Sequence, residues 1–218
     1  GVLAFYECEK LTLINIPEGL TKIEREAFEG CSALTNITLP SSLTEIGEKA
    51  FKGCSGITGT MVIPGSIKVI NSETFEGCNG LTSLVIQSGV TSIGDMAFWG
   101  CANLTSITIP DSVTSIESVA FVGCTNLTSI TIPDSVTTIG DGIFAACTSL
   151  TNITLPDSIK ALGEDILYDT TIDRLTKRLE EIRKGDTSSA RKTVRELFNE
   201  KYYCKTLLQP ADKHWLLA

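Results

Sequence analysis

The sequence predicts an α/β fold: a right-handed solenoid of parallel β coils with short helical or 3₁₀ turns, followed by a C-terminal α-helical cap. Three observations carry this. Leucine or isoleucine recurs at Leu11, Leu34, Ile57, Leu81, Leu104, Leu127 and Leu150, 23 residues apart except for one step of 24. Seven of the eight phenylalanines and seven of the eight cysteines keep the same period. From Ile172 the pattern turns helical, with Ile172, Leu175, Leu179 and Ile182 set among Arg174, Lys177, Arg178 and Arg183. The chain therefore divides into a repeat segment, residues 1–171, and a terminal segment, residues 172–218. A fixed period of this length marks a stack of coils, which overrides the single globular core that 218 residues would otherwise suggest.

Each coil reads in three parts, and residues 104–126 are the clearest copy. The run LTSITIP, residues 104–110, alternates apolar and polar side chains as a half-buried strand does, and Pro110 ends it for want of an N–H. Asp111 and Ser112 make a turn into a shorter strand-like run, residues 113–116. Ala120, Phe121 and Cys124 then suit one helical or 3₁₀ turn with its apolar side inward. The step of 24 falls in residues 57–64, where Gly59 is expected to let a bulge absorb the extra residue. Ala4-Phe5-Tyr6-Glu7-Cys8 reads as the last third of a repeat, so the chain is expected to begin inside a coil, with any export signal upstream of it.

In the terminal segment Gly185-Asp186 closes a first helix and Thr187-Ser188-Ser189 offers an N-cap for a second. Ala190, Val194, Leu197 and Phe198 supply the apolar face of that second helix. The expected role is a cap over the end of the solenoid core. The alternative is a small helical interaction module, basic enough to meet acidic partners.

The runs LTSITIPDSVTTIG (residues 127–140) and AFWGC (residues 97–101) resemble the BspA-like leucine-rich repeat family. The resemblance covers residues 3–171 and recurs in seven coils. That family is found on bacterial and protozoan surfaces and is associated with adhesion, host-protein binding and coaggregation. The resemblance implies a leucine-rich solenoid at a cell surface or in the medium, with no shared catalytic residues. Gln87 in place of proline, Glu117 and Ala146 in place of glycine, and Leu167 in place of phenylalanine depart from the pattern.

Charge and chemistry narrow the function. Residues 1–171 carry 7 Lys+Arg against 19 Asp+Glu, whereas residues 172–218 carry 11 against 7. The acidic repeat segment is a poor partner for nucleic acid. No run of about 18 apolar residues exists, so no membrane-spanning helix is expected. His214 is the only histidine, which speaks against a Ser/His/Asp or Cys/His site in the coils. No Gly-rich phosphate loop or close cysteine pair is present, so no enzyme activity, metal or cofactor is expected. The cysteines of neighbouring coils point the same way at roughly 4.8 Å, more than the about 3.8 Å that a disulfide wants. They are expected to be small core residues.

Two surfaces are candidates for contact. The outward strand positions include Asn36, Thr38, Ser106, Thr108, Ser129 and Thr131, a field of small uncharged side chains. At the coil turns Met96, Trp99, Val119 and Val122 break the repeat and are expected to cluster on one convex side. The expected function is a non-catalytic protein-protein interaction module, a surface or secreted adhesion protein binding a host or bacterial surface protein, or a second copy of itself. One alternative is an intracellular scaffold that recruits a partner through the solenoid and the basic tail. Another is a glycan- or ice-binding Thr/Ser array.

Overall fold

The computed structural model describes residues 1–172. They form a stack of coils in which every sheet is parallel and neighbouring strands come from successive repeats. The first part of each coil builds one face of the stack, in two separate sheets. Its strands are β3 (Gly59–Ile63), β5 (Leu81–Ile86), β7 (Ser106–Thr108), β9 (Ser129–Thr131) and β11 (Asn152–Thr154). Nearer the N-terminus the same position is held by a single bridge, Leu13 to Asn36. The short second runs build the other face: β1 (Lys22–Ile23) pairs with β2 (Glu45–Ile46) as one small sheet, and β4 (Val69–Ile70), β6 (Ser92–Ile93), β8 (Ser115–Ile116), β10 (Thr138–Ile139) and β12 (Ala161–Leu162) follow as a five-stranded sheet. The register is one repeat per step, as in Ser115 against Thr138.

The expected bulge lies where the extra residue falls. Pairing of β3 with β5 shifts register between Gly59 and Thr60, and Gly59 takes φ +77°, a conformation that glycine adopts without a Cβ penalty.

The core follows the repeat. The leucines and isoleucines that begin the coils from Leu34 to Leu150 are buried, as are the phenylalanines from Phe28 to Phe144. Seven phenylalanine rings stack face to face from Phe5 to Phe144, with centroids 5.1–5.7 Å apart. Leu167 takes the phenylalanine position of the next coil and is buried there.

The third part of the coil corrects the α/β expectation. The elements of residues 1–170 are all strands, so this part is a parallel β-solenoid without helical or 3₁₀ turns, and Thr171 and Ile172 are helical. The reason is in the backbone. Two residues per turn take positive φ, for example Glu26 (+56°) and Gly30 (+76°). This rotates alternate N–H groups out of the coil. Phe28 and Gly30 donate to the carbonyls of Ala50 and Lys52 in the next coil, 2.8 Å each, while Glu29 and Cys31 donate back three residues within their own coil. A helical turn would send all of these donors inward along its own axis. Apolar spacing was compatible with both; the inter-coil ladder wins because each coil has a neighbour to bond. No helical cap is seen among the described residues: of the terminal segment they include only Ile172, which is helical, and the rest of the expected helices falls on residues 173–218, outside them.

Candidate functional site

Polar side chains that repeat in every coil are engaged in holding the stack. Of the threonines that follow the leading leucines, Thr35, Thr82, Thr105 and Thr151 bond through Oγ1 to the backbone of the preceding coil, as in Thr105 to the Thr82 carbonyl at 2.9 Å and Thr35 to Thr12 at 3.1 Å. Ser112 and Ser135 do the same at the next turn, 2.7 Å from the Val90 and Val113 carbonyls.

The cysteine column also has a structural task. Cys31, Cys54, Cys78, Cys101 and Cys147 each place Sγ 3.0–3.3 Å from the carbonyl of the phenylalanine one coil back. All five are buried. Burial pushes the Cys54 and Cys101 thiols up to about 12, because a thiolate there would lose its water. Thiols held this far from ionisation are poor nucleophiles and poor metal ligands at neutral pH. Cys8, at the start of the stack, is exposed.

The remaining surface divides into three places. The turn edge carries Met96, Trp99, Val119 and Val122. Trp99 N–H donates to the Met96 carbonyl (3.1 Å) and Val122 N–H to that of Val119 (3.3 Å), so each pair shares one turn. Gly100 N–H reaches the Val122 carbonyl at 2.7 Å, which locks the two turns side by side. The four residues are therefore brought together. Trp99 is 39% exposed and the other three are half-buried. Met96 and Val119 hold the left-handed conformation, at φ +53° and +52°. In the preceding coils the same two positions are charged and paired. Lys52 Nζ lies 2.6 Å from Glu73 Oε2 and 2.9 Å from Glu76 Oε2, and Lys49 Nζ 3.6 Å from Glu73. The edge thus passes from an ion-paired half to an apolar half.

On the strand face Asn36 and Thr38 are exposed, but β3 and β5 separate them from Ser106 and Thr108. They form a place of their own. Ser106 is bonded to Ser83, Oγ to Oγ, at 3.0 Å. Thr108 and Thr131 belong together. They line a groove of about 400 Å³ with Thr154, Ile107, Ile132 and the carboxylate-bearing Asp111 and Asp134. Ser129 is exposed on the same strand as Thr131. The ten candidate residues therefore occupy three separate places.

Sequence reasoning missed the two aspartates of the groove. A signal existed: from Val69 to Ile159 the chain has no lysine or arginine and eight carboxylates. The aspartate after the strand-ending proline appears only at Asp111, Asp134 and Asp157, in the later coils.

Comparisons with known proteins agree with the geometry. A family model described as BspA type leucine rich repeat region, in six copies, matches residues 1–128 and 115–186. Among curated proteins no relative matches. Among solved structures, a leucine-rich repeat protein from Bacteroides ovatus ATCC 8483 is similar at 32% identity and TM-score 0.60, over 78% of this chain and 49% of that one. The T. pallidum leucine rich repeat protein is similar at 33% identity and TM-score 0.50, over 50% of this chain and 54% of that one. A leucine-rich repeat protein from Eubacterium ventriosum ATCC 27560, at 24% identity and TM-score 0.59 over 68% of this chain and 41% of that one, shares the fold. The chain spans about half the length of the first two.

Proposed function

We propose a function from one premise: the chain belongs to the BspA-type leucine-rich repeat family. It is a non-catalytic protein-binding module, displayed on a cell surface or secreted, that engages a host or bacterial surface protein. Residues 1–171 are the binding module. The contact is made by the strand face around Thr108 and Thr131 and by the turn edge around Trp99.

The observation that carries this reading is how the repeated chemistry is used. Most of the thiols and hydroxyls that recur from coil to coil are engaged between coils. What differs between coils faces outward, and a stack of this kind offers a long surface for a partner. The surface location rests on the family's association with bacterial and protozoan surfaces.

The test applies the full chain to immobilised host matrix proteins and bacterial membrane extract, beside Trp99→Ser and Thr108→Lys/Thr131→Lys. The expected result is saturable binding to a protein, weakened by about tenfold in at least one variant. No saturable binding to any protein, or binding unchanged in both variants, overturns the reading. Binding to free oligosaccharides alone replaces it with the glycan-array alternative.

A further inference from the structure

The strand face is open between β7 and β9, and the geometry points to a defined contact there: the groove takes a lysine or arginine side chain of a partner protein. This inference rests on the protein-binding reading and adds the chemistry of the partner.

The opening is a break in the sheet. β3, β5 and β7 form one sheet and β9 and β11 another, so β7 and β9 lie in successive coils without strand pairing. On the β7 side of the break one core position is less covered than its counterparts in the neighbouring strands. Leu84 and Ile153 are 0% and 2% exposed, whereas Ile107 at the same position is half-buried. The break leaves the groove of about 400 Å³, with Ile107, Ile132 and Pro133 as apolar wall and the hydroxyls of Thr108 and Thr131 beside it.

Two carboxylates complete the lining. Asp111 and Asp134 hold the same position in successive coils, and both line the groove. Both carboxylates are exposed, and among the described residues neither takes part in an ion pair. Among the described residues no basic side chain lines the groove, and none occurs in the sequence between Lys68 and Lys160. The described side chains there make a negative field, so a basic segment is steered in and an acidic one repelled.

The mixed lining selects among cations. A lysine or arginine side chain brings an apolar stem for the isoleucine and proline wall and a charged head for the carboxylates and hydroxyls. A bare metal ion leaves the wall unused.

The test titrates the full chain into a fluorescein-labelled peptide of alternating glycine and arginine, beside the same peptide with glutamine for arginine. Asp111→Asn/Asp134→Asn is compared with Asp95→Asn/Glu117→Gln, which removes two carboxylates from the same base-free region outside the groove. Thermal melts confirm that each variant folds, and the single variants Asp111→Asn and Asp134→Asn replace any double that does not. The expected result is binding of the arginine peptide over the glutamine peptide, lost by about fivefold or more in the groove variant and little changed in the control. Filling the groove by Thr131→Trp gives the same loss. Equal loss in both double variants, or no preference for arginine, overturns the inference. Binding seen only after the lysines and arginines of residues 173–218 are replaced by glutamine makes the chain's own tail the occupant and also overturns it. Each of these results leaves the matrix-protein test of the binding reading to stand or fall by itself.

Discussion

At the scale of the residue, two columns show what the repeat demands. The first is the left-handed position that precedes each cysteine, held by glycine in five coils and by Ala146 at φ +56° in another. An L-residue there is strained by about 1–2 kcal/mol. Ala146→Gly is therefore expected to stabilise by about 1 kcal/mol and raise the melting temperature by about 2–4 °C. Gly123→Ala is expected to do the reverse. The methyl would meet only Gly100 atoms at 3.7 Å and beyond, so its cost is conformational and not a clash. The second column is the cysteines. Alkylation of the native chain near neutral pH is expected at Cys8 and at none of the buried thiols from Cys31 to Cys147; early labelling of Cys101 contradicts their place in the core. The same burial makes stability pH-dependent. The native chain keeps protons on Cys54 and Cys101 that the unfolded chain releases near pH 9, the native thiols titrating at about 12. Their contribution is complete below the unfolded value. It declines above it by up to about 1.4 kcal/mol per pH unit for each thiol. Cys101→Ala is expected to flatten the fall in stability between about pH 9 and 11.

At the scale of the element, inward and outward positions of one coil should behave differently. Phe98 is fully buried between Phe75 and Phe121, with ring centroids 5.4 Å to either side. Phe98→Ala is expected to destabilise by about 3–5 kcal/mol in a denaturant melt, and Thr108→Ala by less than about 0.5 kcal/mol. How much of this was legible beforehand depends on the element. The Phe, Leu and Cys columns were readable because the same residue recurs at the same place and period-two alternation fixes which side faces in. The turn was not. Ala120, Phe121 and Cys124 have an apolar spacing that fits a helical turn as well as the observed one, and only the inter-coil hydrogen bonds tell them apart. The sheet break was also invisible. Residues 106–113 and 129–136 share the sequence SITIPDSV, so nothing local marks the gap between β7 and β9. The aspartates of the groove were readable as charge, but their joint position needed the register.

At the scale of the whole molecule, the stack separates stability from recognition. Its interior is one continuous core from Ile16 to Ile172. Each coil meets only its neighbours, so stability is close to a sum of coil and interface contributions. Variation on the outer surface is then inexpensive, and outward residues are free to diverge. Candidate residues were legible as departures from the repeat, namely Met96, Trp99, Val119 and Val122, while Asn36 and Thr38 proved to stand apart from the groove. The most direct test of this separation is one binding isotherm, that of the Thr108→Lys/Thr131→Lys chain against the wild-type chain on the same immobilised protein partner, with a thermal melt of each. The account predicts an unchanged melt and affinity lower by about tenfold. An unchanged melt with unchanged affinity contradicts it.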